Sequence, residues 1–229
     1  MNNLSVSMTK SEIIGGWSYL FLQLLILPVV LRFVNMVLGN PLSSAEINFV
    51  FFALNFICVT VIFRCFLLTS VRNALTEPLR IIRAAFTGFV LYYIASYVVG
   101  LIIFFIAPDF SNVNDESLAG MTQSNFALMS IGTVLLVPPV EEVLFRGLIF
   151  RGLYRRSRFT AYLVSTLVFS SIHVVGYIGF YDPLTLLLCF LQYIPASLCL
   201  GRAYAKADSI IAPILIHITV NLIGMLAMR

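Results

Sequence analysis

The chain has 229 residues, 60% of them hydrophobic and only 10% charged, with a net charge of +4. Soluble domains carry about 25% charged residues, so most of this surface faces something other than water. The composition excludes a soluble enzyme. Its basic residues sit in short clusters between apolar runs, as in a membrane protein, so nucleic acid is not an expected partner. The apolar runs are long and unbroken, not short and alternating as in a β-barrel. The expected fold is therefore all-α: a polytopic helical membrane protein. The four cysteines, Cys58, Cys65, Cys189 and Cys199, show no metal-ligand spacing and read as packing residues.

A helical span needs about 20 apolar residues. The first runs from about Trp17 to Met36 and lacks a small-residue cleavage site, so it reads as a retained span. Gly39 to Ser44 forms a turn, and the second span covers Ile47 to Leu68. A polar connector holds Arg72, Glu77, Arg80 and Arg83, and the third span is Ala84 to Ala107. The longest polar stretch follows, Asp109 to Asn125, with Asp109, Asp115 and Glu116 but no Lys or Arg. The fourth helix runs from Phe126 to Tyr154 and ends among Arg151, Arg155, Arg156 and Arg158. The fifth, sixth and seventh cover Thr160 to Tyr177, Leu184 to Tyr204 and Ser209 to Met228. Residues 1–125 thus form an N-terminal unit of three helices, and 126–229 a C-terminal unit of four.

Basic residues occupy alternate connectors, which predicts seven spans in the cell membrane with a cytoplasmic N-terminus and an outer C-terminus. No internal repeat is visible.

Charged groups at membrane depth are costly, by roughly 2.5–3.5 kcal/mol each on insertion scales. The stretch Glu141-Glu142-Val143-Leu144-Phe145-Arg146 nevertheless holds three. The chain has two histidines, His173 and His217, both inside apolar segments. A rise of 1.5 Å per residue places Glu141, His173 and His217 roughly 12–20 Å from the cytoplasmic ends of their helices. Glu142 and Arg146 are i, i+4 and form an ion pair, leaving Glu141 to face another partner. His217 and Asn221 share a helix face, as do Phe169 and His173. Pro138-Pro139 removes two backbone donors and is expected to open or bend the fourth helix.

This set suits hydrolysis. Glu141 with His173 can activate a water, and His217 with Asn221 can donate to an oxyanion. No Gly-x-Ser-x-Gly occurs and no Cys neighbours a His in sequence, so Ser and Cys nucleophiles are not expected.

Glu141-Glu142-x-x-x-Arg146, Phe169-x-x-x-His173 and His217-x-x-x-Asn221 resemble, in order and spacing, the three motifs of the CPBP family. These are the CAAX-protease and bacteriocin-processing intramembrane endopeptidases, also called Abi. The resemblance covers Phe126 to Met228. It implies Glu141 as the base assisted by His173, His217 and Asn221 as the oxyanion site, and Glu142 paired structurally with Arg146. It also implies a conical bundle enclosing a cavity open to the cytoplasm. The substrate would be a membrane-associated peptide or protein: a pheromone, a bacteriocin precursor or a CAAX-like protein.

Two rivals remain at the level of sequence. In one, zinc is held by Glu142 (or Glu141), His173 and His217 with a water, although no cofactor is favoured and Glu142 is committed to Arg146. In the other, the protein is a non-proteolytic membrane partner of a sensor kinase or transporter, or confers bacteriocin immunity. A proton-coupled carrier is a weaker third reading, disfavoured by the missing repeat.

Overall fold

The computed structural model describes residues 4–229, and among them the chain is helical with no strand. Helix α1 spans Lys10–Val37, α2 Ser44–Ile62, α3 Arg64–Thr76 and α4 Pro78–Ile106. Then come α5 Val113–Ser124, α6 Phe126–Tyr154, α7 Arg158–Ile172, α8 Pro183–Ala207 and α9 Ile211–Ala227. Six segments are long and apolar enough to cross a membrane, and α9 is apolar but shorter. The protein is an all-α, multi-pass membrane protein.

Local chemistry sets the helix starts. Thr9 with Glu12, and Ser43 with Glu46, form reciprocal capping boxes that satisfy first-turn N–H groups. Ser157 and Asp182 cap α7 and α8 through their side chains, with Pro183 in the first turn of α8. The expected second span, Ile47 to Leu68, is broken at Phe63. The N–H of Phe66 just beyond the break is taken by Glu12 Oε1 at 2.8 Å. A helix start leaves such donors without an intrahelical partner, and a buried carboxylate satisfies this one.

Helix α6 is the central element. In its most apolar window 56% of residues are buried within the protein, against 6% for α4, which presents its side chains to lipid. The main core gathers Val143, Leu144, Phe145 and Phe150 of α6 with Phe169 of α7, Tyr204 of α8 and Tyr19 of α1. Leu4, Val6 and Met8 join the same core, so the N-terminal helices and the helices from Phe126 onward share one apolar interior.

The helices alternate between two ends. At one end Ser5 N–H donates to Asp208 Oδ1 (2.8 Å), and Arg80 Nε to the Lys206 carbonyl (3.0 Å). Arg151 reaches the Leu4 carbonyl there (3.4 Å). At the other end Asn48 contacts Met121 (3.0 Å) and Arg229 lies over the Phe126 ring (5.6 Å). All the Lys and Arg residues except Arg32, Arg146 and Arg229 belong to the first end.

Candidate functional site

Helix α6 does not hold a uniform α geometry. It is wound wider, in an i→i+5 register, over Ile131–Leu136 and again over Glu142–Phe150. Pro138-Pro139 gives a reason for the first widening. Val137 N–H bonds back to the Gly132 carbonyl five residues earlier. The next carbonyl, of Thr133, then looks to Pro138, which has no N–H. That freed carbonyl accepts from Asn221 Nδ2 of α9 at 2.8 Å. The proline pair thus holds Asn221 in place, and the opening expected from sequence takes the form of a wider coil. Wide turns of this kind recur at functional sites.

Glu142 and Arg146 are both fully buried and pair at 3.1 Å. Glu142 Oε1 also faces His217 Nδ1 at 2.9 Å, so Glu142 serves two partners. The Arg146 guanidinium lies 4.2 Å over the Phe169 ring and donates to the Ser197 carbonyl at 3.4 Å. One arginine therefore ties α6 to α7 and α8, and Glu142 ties α6 to α9. Breaking such a buried pair by removing one partner is strongly unfavourable.

Glu141 has a different environment. Its Oε2 lies 3.9 Å from His217 Nε2, beyond hydrogen-bond distance, and accepts no bond from the protein. Glu141 lines a cavity of about 1280 Å³ together with His173, His217 and Asn221. The same four residues named from sequence are therefore gathered in one cavity wall, with Glu142 and Arg146 packed behind it.

His173 ends α7. Its Nδ1 meets the Phe169 carbonyl at 2.8 Å and must donate there, because a carbonyl only accepts. The imidazole thus caps a carbonyl in the last turn of α7. The ring stacks on Tyr193 of α8, with centroids 4.2 Å apart and planes at 25°. The fifth helix was expected to continue to Tyr177. It stops at Ile172 instead, followed by a short 3₁₀ turn, Val175–Tyr177. His173 consequently sits at the end of α7 farthest from Arg158.

The depth count set the cavity nearer the arginine-rich connectors. Its rim instead includes Ser44, Asn48, Asp115, Gly120 and Gly176, all at the opposite end. The depth estimate misled because α7 is shorter than its apolar run. The start of α9 is also recessed, with Ser209 and Ile210 buried.

The polar stretch between α4 and α6 supplies residues that motif reasoning passed over. Asn112 caps α5 by accepting from the N–H groups of Asn114 and Asp115. Asn112 Nδ2 donates to Gln192 (2.6 Å) and Asn114 Nδ2 to the Tyr193 hydroxyl (3.0 Å). These bonds hold α5 beside His173. Asp115 opens onto the cavity. Its carboxyl is raised above the usual carboxylate range, chiefly by desolvation, while His173 pulls it the other way. The run of side-chain amides around an acid in an otherwise apolar chain was the available signal.

Among the described residues no three of His, Cys, Asp and Glu form a metal-holding group. For the zinc alternative of Glu142, His173 and His217, Glu142 Oε1 is shared by Arg146 and His217, and the Nδ1 atoms of His173 and His217 are taken by the Phe169 carbonyl and Glu142, which leaves each ring its Nε2.

No curated protein and no solved structure matches the chain. A family model does match: residues 123–223, just under half of the chain, fit the type II CAAX prenyl endopeptidase Rce1-like family. The matched segment contains Glu141, His173, His217 and Asn221 with the Glu142–Arg146 pair behind them, and its similarity is to the same CAAX-protease group that the three motifs resemble.

Proposed function

We propose that the chain is an intramembrane endopeptidase that hydrolyses a peptide bond of a membrane-associated peptide or protein, with a water activated by Glu141. The observation that carries this reading is the Glu141 side chain, which lines a cavity together with both histidines and Asn221 while its buried Oε2 has no protein partner. The family match over residues 123–223 supports a CAAX-type protease at a coarse level.

In this reading a water donates to Glu141 and to His173 Nε2, which is free to accept because Nδ1 carries the proton. The water oxygen attacks the substrate carbonyl carbon as its proton passes to Glu141. The carbonyl π electrons move onto oxygen, giving a tetrahedral oxyanion. Asn221 Nδ2 has a second hydrogen beyond the one given to Thr133, and it donates to that oxyanion. His217 gives its Nδ1 hydrogen to Glu142, so its Nε2 is a donor only when the ring carries a second proton. With that proton the charges of Glu141, Glu142, Arg146 and His217 cancel, which suits a site away from water. Collapse of the oxyanion breaks the C–N bond, and the proton on Glu141 passes to the leaving amine. The base, its assistant and the oxyanion donors then come from three helices, while Glu142–Arg146 is structural.

The substrate classes carried by the resemblance are a pheromone, a bacteriocin precursor or a CAAX-like protein, and the proposed step is written without a cofactor, zinc being the alternative. The test compares membrane peptide profiles of cells carrying wild-type, Glu141→Ala or Glu141→Gln protein. The proposal expects peptides present with wild type to vanish in both variants. An identical profile in all three, with the cellular phenotype retained, would instead favour a non-catalytic partner of a sensor kinase, a transporter or an immunity system.

A further inference from the structure

We infer that the cavity opens on the non-cytoplasmic side of the membrane, so that the bond cleaved belongs to a segment already exported. This rests on the peptidase reading for its meaning but not for its geometry.

Three observations carry it. First, contacts between elements far apart in sequence fix which connectors share an end. Ser5 with Asp208, Arg80 with Lys206, and Arg151 with Leu4 join the N-terminal segment, the α3–α4 region, the end of α6 and the α8–α9 link. Second, the charge is segregated. Lys10, Arg72, Arg80, Arg155, Arg156 and Lys206 all lie at that end. The opposite end holds Glu46, Asp109, Asp115, Glu116 and Asp182, with only Arg32 and Arg229 as basic residues near it. Short connectors rich in Lys and Arg stay in the cytoplasm. Third, the cavity containing Glu141, His173 and His217 has its rim at the acidic end: Ser44 of α2, Asp115 and Gly120 of α5, and Gly176 after α7. None of its wall comes from the arginine-bearing connectors at positions 64–83, 151–158 or 202–211.

The substrate class narrows accordingly. A prenylated protein confined to the cytoplasm would meet the closed end. A secreted peptide, or the outer juxtamembrane segment of an anchored protein, would meet the open one.

The test has two arms. In the first, Cys58, Cys65, Cys189 and Cys199 are replaced by Ala and single cysteines are introduced. Ser117→Cys and Gly120→Cys mark the cavity rim, where a side chain at 120 meets open space. Asn73→Cys and Gly152→Cys mark the other end, and both positions are exposed. Intact cells, or spheroplasts where an outer membrane is present, are treated with a membrane-impermeant maleimide. The inference expects the two rim cysteines to label at once and the other two only after permeabilisation. Labelling of Asn73→Cys or Gly152→Cys in intact cells, or protection of both rim cysteines, overturns it.

In the second arm, each peptide lost in the Glu141→Ala variant is mapped to the side of the membrane its parent segment occupies. Origins on the outer side support the inference, and cytoplasmic origins overturn it while leaving the peptidase reading intact. An unchanged profile overturns the peptidase reading itself, with the orientation still read from the labelling.

Discussion

Replacing Arg146 by Met tests whether the clamp behind the cavity is structural. The substitution keeps a long apolar stem and removes the 3.1 Å ion pair, the 3.4 Å bond to the Ser197 carbonyl and the cation over Phe169 at 4.2 Å. Glu142, fully buried, is left with His217 alone. Deleting one member of a buried pair costs about 3–5 kcal/mol, because the remaining charge is uncompensated. At 1.4 kcal/mol per tenfold, this is roughly two to four orders of magnitude in the folded fraction. Chemical unfolding in mixed micelles, followed by circular dichroism, reads it. The double variant Glu142→Gln with Arg146→Met removes both charges and keeps an oxygen acceptor for His217 Nδ1. It should recover at least about 2 kcal/mol of the loss. A loss below about 1 kcal/mol in Arg146→Met, or a double variant as unstable as the sum of the singles, would refute the clamp.

Three further outcomes are expected. Asn221→Ala should lower kcat about 10²–10³-fold with a small change in KM, since an oxyanion donor acts in the transition state; a kcat within threefold of wild type would remove Asn221 from that role. Asp115 has its folded carboxyl raised, so ionisation weakens the fold as pH climbs from the ordinary carboxylate range through the raised value. Relative to wild type, the melting temperature of Asp115→Asn should therefore rise as pH climbs above the ordinary carboxylate range, and a flat difference contradicts that environment. Cleavage by the purified protein should persist under strong chelation, whereas activity lost to chelator and restored by zinc would return the metal reading.

The sequence disclosed the fold class because composition alone decides whether a surface faces lipid. It also named four residues, Glu141, His173, His217 and Asn221, that line one cavity. Glu142 and Arg146 at i, i+4 pair wherever a helix forms, and two histidines in apolar segments leave few alternatives. Partner choice was less legible. That His217 bonds Glu142 and faces Glu141 depends on how α9 meets α6, which no local spacing encodes. Asn221 finds the Thr133 carbonyl only because α6 widens before Pro138, a register invisible to an α-helical count. The depth of His173 was misjudged because the apolar run to Tyr177 outlasts the helix, which His173 itself ends. Asp115 and Glu12 looked like ordinary polar residues near helix starts. Their roles, beside His173 and at the break after Phe63, arise from packing across long sequence separations.

The central claim is that Glu141 drives the attack of water on a peptide bond. Isotope incorporation tests it most directly. Purified protein in lipid is incubated with a membrane peptide extract in ¹⁸O-labelled water, and new peptide C-termini are read by mass spectrometry. With wild type, newly formed C-termini should carry a single ¹⁸O, and with Glu141→Gln they should be missing while the protein keeps its fold by circular dichroism. New labelled C-termini in equal amount from Glu141→Gln, or none from either protein, would contradict the account.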